Sequence, residues 1–95
     1  MLPLNRLTCE TFTALAGQVF TSGEVSLTLH TVKKLGNKHQ EALRDPFSLL
    51  FRGPQGLRLG QGIYRLTNKS LGELEIFITQ VADGPKVSEF EAIFT

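Results

Sequence analysis

The side chains of this sequence that could do chemistry are few and scattered: Cys9, His30, His39 and the glutamates Glu73, Glu75, Glu89 and Glu91. A metal site needs three or four convergent ligands. Neither His30 nor His39 has a Cys or a close carboxylate at ligand spacing, so both read as solvated or hydrogen-bonded, and no metal or cofactor is expected. Nucleophilic catalysis asks for a Ser, Cys or Thr beside a base that a third group holds. Cys9 falls at the start of a predicted helix, where the dipole can lower a thiol pKa. No CxxC or other flanking signature accompanies it, and it reads as structural. Paired carboxylates serve acid–base or glycosidic chemistry. Glu73, Glu75, Glu89 and Glu91 alternate with apolar residues, as on a solvated sheet face, and no catalytic residue is assigned.

Phosphate- and nucleic-acid-binding chemistry fares no better. The glycines of GPQGLRLGQG match neither GxGxxG nor the P-loop, and no strand–loop–helix unit follows, so they read as bends and bulges. Arg52, Arg58 and Arg65 with Tyr64 would make a basic patch on a barrel, but the phenylalanines sit at core-phase positions and leave none for base stacking. The formal net charge is only +1, far from the basic footprint that holds a polyanion, and no nucleic-acid partner is expected.

The elements behind these residues follow from periodicity. The only good helix candidate is 8–16, with Thr8 as N-cap, Glu10 in the first turn, Gly17 as the left-handed stop, and Phe12, Leu15 and Ala16 on one face. A helix so short needs a sheet to cover. From Gly17 onward the period is two. Strands are predicted at 18–20, 24–35, 47–52, 62–67, 73–81 and 86–95, separated by turns at Thr21-Ser22-Gly23, Gly53-Pro54-Gln55-Gly56, Asn68 to Gly72 and Asp83-Gly84-Pro85. In 24–35, Val25, Leu27, Leu29 and Thr31 point one way and Ser26, Thr28 and His30 the other. In the last strand Phe90, Ala92 and Phe94 oppose Glu89, Glu91 and Ile93. The expected core is Phe47, Leu49, Phe51, Tyr64, Leu66, Ile76, Ile78, Phe90 and Phe94. Five to six twisted antiparallel strands with this many apolar residues curl up to protect their edges. The expected fold is mainly β: a single domain over 1–95, a small antiparallel barrel or roll with one short N-terminal helix. A bulge near Gln61-Gly62 would help such a barrel bend.

With 95 residues, 41% of them hydrophobic and 20% charged, the chain is long enough for one globular domain and too short for two. One cysteine rules out an internal disulfide. No apolar run approaches the roughly 20 residues of a membrane span, and residues 1–12 lack a signal-peptide pattern. The expected location is cytoplasmic, or within an exported assembly that uses no signal peptide. Residues 1–69 carry nine Lys/Arg and four Asp/Glu, whereas 70–95 carry one and five. That split predicts basic and acidic strands side by side, pairing across the sheet.

The blocks FTALAGQVF, FSLLFRGP, QGIYRLTNKSLGELEIFI and FEAIFT, which together cover nearly all of the chain, resemble a family of small uncharacterised bacterial proteins. Thr95 stands where that family ends in Asn, and TQV at 79–81 replaces its usual "vPi". Members look like neighbours of phage-tail-collar-like proteins, and the resemblance implies an accessory of a tail-like or surface-fibre assembly. The expected function is therefore a non-enzymatic protein-interaction module whose partner is a tail-collar-like or fibre protein. Homodimerisation through an edge strand is a further possibility. The candidate surface is the pair of loops around Lys33, Lys34, Lys38, His39, Leu43 and Arg44, and around Leu57, Arg58 and Leu59. The alternative is a small-ligand-binding barrel or an unrecognised enzyme that uses the barrel mouth, with His30, Tyr64 and Arg65 as its polar groups; it requires a pocket of a few hundred Å³.

Overall fold

A computed structural model describes residues 7–36, 45–83 and 86–94. One short helix, α1 (Cys9–Thr13), precedes six strands: β1 (Val19–Ser22), β2 (Val25–Lys34), β3 (Phe47–Pro54), β4 (Gly62–Asn68), β5 (Gly72–Asp83) and β6 (Val87–Phe94). All pairings are antiparallel, and the strands close into a barrel in the order β1-β2-β3-β6-β5-β4. The chain thus makes two three-stranded meanders and joins them edge to edge.

The helix begins as its sequence demands. Thr8 Oγ1 accepts from the Thr11 amide at 3.3 Å, and the Thr8 amide donates to Thr11 Oγ1 at 3.2 Å, a reciprocal cap. It ends earlier than the periodicity predicts. After Thr13 the backbone tightens into i to i+3 bonds, such as Leu15 N to Phe12 O at 2.9 Å. Gly17, at φ 87, then sends its amide to Leu29 O at 2.7 Å. Phe12 and Leu15 are buried, but Ala16 is exposed because the helical spacing has already lapsed. The first hairpin also differs: Thr21 and Ser22 belong to β1, and the turn is Gly23-Glu24. Gly23 has φ 61, the position at which a two-residue hairpin turn of type II′ calls for glycine.

The inward phase of the strands matches the expected core, with one exception. Phe47, Leu49, Phe51, Leu66, Ile76, Ile78, Phe90 and Phe94 are all buried, whereas Tyr64 is half-buried at a rim. The bend of the barrel comes from two bulges, neither at Gln61-Gly62, where the β4–β5 register is regular. On β2, Leu29 pairs with Phe51 and Thr31 with Leu50, so His30 is the extra residue. On β5, Gln80 pairs with Phe90 and Ala82 with Glu89, so Val81 is the extra residue. The first bulge resets the alternation: Leu27 and Leu29 face inward, then Val32 packs on the core, and Thr31 is exposed.

Each end of the barrel has its own closure. At one end α1 lays Phe12 against Phe47 and Phe94, ring centroids 5.8 and 5.4 Å apart, while Phe47 and Phe94 stack at 4.7 Å. At the other end residues 55–61 form a strap from β3 to β4, which are not neighbours in the sheet. Gln80 pins this strap, its Oε1 accepting from Leu59 N at 3.1 Å and its Nε2 donating to Leu57 O at 3.0 Å. The Tyr64 hydroxyl donates to Gly60 O.

The seam between β1 and β4 has one ladder pair, Thr21 with Thr67. Asn68, 2% exposed, reinforces it. Its Nδ2 donates to Val19 O at 3.0 Å and Gln18 Oε1 at 3.1 Å, and its Oδ1 accepts from Ser70 N and Leu71 N, both at 2.9 Å. Every donor and acceptor site of this buried amide is used.

Candidate functional site

The alternation that fills the core also fixes what faces outward, and on three consecutive strands one outward position is apolar. Ile63 on β4 and Phe77 on β5 are direct cross-strand partners. The β5–β6 ladder ends at Thr79–Glu91, and beyond it Ile93 of β6, paired with Ser48 of β3, also turns outward. Ile63 is 70% exposed, Phe77 52% and Ile93 59%, and Val81, lifted by the β5 bulge, is 50% exposed. Single exposed apolar residues are ordinary, but an exposed apolar pair in register, with more outward apolar residues on the same and the next strand, is the form an interaction surface takes. On β4–β5 the next outward rung is Arg65 with Glu75, an ion pair at 4.0 Å.

The charged strands do lie side by side. Arg52 of β3 meets Glu89 of β6 at 2.9 Å, as its register partner. Lys34 reaches Glu10 of α1 at 3.8 Å. This arrangement separates the carboxylates that were candidates for chemistry: Glu73 and Glu75 lie opposite Thr67 and Arg65, while Glu89 and Glu91 lie opposite Arg52 and Leu50 on β3. No group of three or more His, Cys, Asp or Glu that could hold a metal occurs among the described residues. His30 is exposed at its bulge, and Cys9 is half-buried with Sγ 3.9 Å from Thr13 Oγ1.

The described residues of the expected loop surface lie at the two ends of the barrel. Lys33 and Lys34 are exposed at the α1 end, where Lys34 pairs with Phe47. Leu57, Arg58 and Leu59 lie on the strap at the opposite end, with Leu57 and Leu59 half-buried against the core and Arg58 exposed. The apolar character of Leu57 and Leu59 is thus accounted for by closing the barrel. Lys38, His39, Leu43 and Arg44 lie outside the described residues.

Beneath Leu59 there is a cavity of about 110 Å³. Leu27, Leu66 and Ile78 form its floor, and Ser22, Val25, Leu59 and Tyr64 its rim. Of the polar groups expected at a barrel mouth, Tyr64 is present, whereas His30 and Arg65 are not part of the lining.

A closed six-stranded antiparallel barrel, capped by one helix and one strap, defines the class of this protein. The chain belongs to the family described as Domain of unknown function (DUF6916), which matches residues 7–94. No curated protein and no solved structure matches it. Among the described residues no helix is long and apolar enough to cross a membrane.

Proposed function

We propose that this chain is a non-enzymatic protein-binding module that docks through the outer face of β4, β5 and β6. The observation that supports this reading is the cross-strand pair Ile63–Phe77, exposed in register on β4 and β5, with Ile93 exposed on β6. None of the three fills the barrel's own core, and leaving them in water costs roughly 1.5–3 kcal/mol each relative to burial. A partner that covers them recovers that energy, and an aromatic at the centre of a patch is the usual anchor of such a contact. The flanking Arg65–Glu75 pair suits a polar rim around the apolar centre. The partner class follows from the sequence resemblance: a tail-collar-like or fibre protein of a bacterial tail-like assembly, for which this chain is an accessory.

The test is co-purification from the native host with the wild-type chain and with Phe77→Lys and Ile63→Lys variants. Both positions are surface positions, so circular dichroism and melting temperature should change little. The reading predicts that a fibre or collar protein is captured by the wild type and weakened at least about tenfold by each variant. Undiminished capture by both variants, or unchanged fibre assembly when the protein is deleted, defeats it. Light scattering separates a heterologous partner from a second copy of this chain.

A further inference from the structure

We propose that the barrel end beneath the strap is a binding site for a small uncharged apolar molecule, the size of one aromatic ring or a branched alkyl group. The cavity of about 110 Å³ has a floor of Leu27, Leu66 and Ile78, each 1% exposed. Its half-buried rim comes from three separate elements: the β1–β2 hairpin at Ser22 and Val25, the strap at Leu59, and β4 at Tyr64. Among the described residues no carboxylate, ammonium or imidazole lines it. The Tyr64 hydroxyl is already committed to Gly60 O. A charged ligand would shed its water here in exchange for little more than the Ser22 hydroxyl, which strongly disfavours it. Apolar cavities of this order stay dry and take xenon or a single ring, whereas a drug-sized ligand needs roughly 300 Å³ or more. Volume and lining together therefore select the ligand class. The site is distinct from the outer face of β4–β6, and its occupation does not depend on protein docking there.

Benzene titrated into the full chain, followed by methyl carbon–proton NMR, tests this directly. Saturable shifts of the Leu27, Leu66 and Ile78 methyls are expected with a dissociation constant on the order of 1 mM, with intermolecular Overhauser contacts from the ring to those methyls. Val25→Phe, which fills the cavity from its half-buried rim, should abolish both. Benzoate should bind at least about tenfold more weakly than benzene, since one hydroxyl does not replace the hydration of its charge. If Val25→Phe does not fold, xenon pressure on the wild type reads the same methyls and decides the matter. Non-saturating shifts, contacts confined to Ile63 and Ile93 on the outer face, no xenon response, or benzoate binding as tightly as benzene would each overturn the proposal.

Discussion

The two ends of this barrel solve one problem with different materials. At the α1 end three phenylalanines from three elements close the opening, with centroid separations between 4.7 and 5.8 Å. At the strap end the closure is irregular backbone, held by Gln80 and the Tyr64 hydroxyl, and a cavity remains beneath it. Aromatic rings fill space and need no partners for their atoms. A strap brings backbone polar groups that must be satisfied, and satisfying them fixes its path whether or not the space below is filled. The tight end is built for stability, and the loose end has room for something else.

Perturbing each end tests this contrast. Phe12→Ala removes the ring that touches both Phe47 and Phe94, and should cost about 3–5 kcal/mol in urea unfolding. A loss below about 1 kcal/mol would show that α1 is not an integral closure. Gln80→Leu keeps the volume but strands Leu59 N and Leu57 O; the expected loss is about 2 kcal/mol, with faster amide exchange at Leu59 and no change in exchange along β3. Gly60→Ala should fall within about 0.5 kcal/mol of wild type, because a methyl there meets nothing within 4 Å. A large penalty for that change would mean the strap is packed as tightly as the aromatic end.

Much of this was readable from the sequence. The strands announce themselves by alternation, and Leu74, Ile76 and Ile78 or Phe90, Ala92 and Phe94 face inward as their spacing requires. The Thr8 cap is a local signal and was equally visible. The two bulges were not, because His30 and Val81 are extra residues only relative to partners supplied by distant strands. The β2 bulge turns Thr31 outward, where strict alternation from Val25, Leu27 and Leu29 places it inward. Tyr64 has the core phase but lies near a barrel end, where phase alone does not decide depth. The outward row had a signal in plain view: Phe77 is flanked by the inward residues Ile76 and Ile78, so alternation alone sends it outside. Its pairing with Ile63 emerges only from the register.

The Asn68 amide has a wider consequence. With a single ladder pair holding β1 to β4, and the Thr21 and Ser70 hydroxyls also bonding across, this side chain is the main latch that keeps a ring from becoming a ribbon. Released, the ribbon would bare the unpaired amides and carbonyls of Val19–Ser22 and Gly62–Asn68, two raw margins that neighbouring copies could zip onto. The residue's value is then measured less in the strength of the folded monomer than in the solubility of a concentrated solution of it.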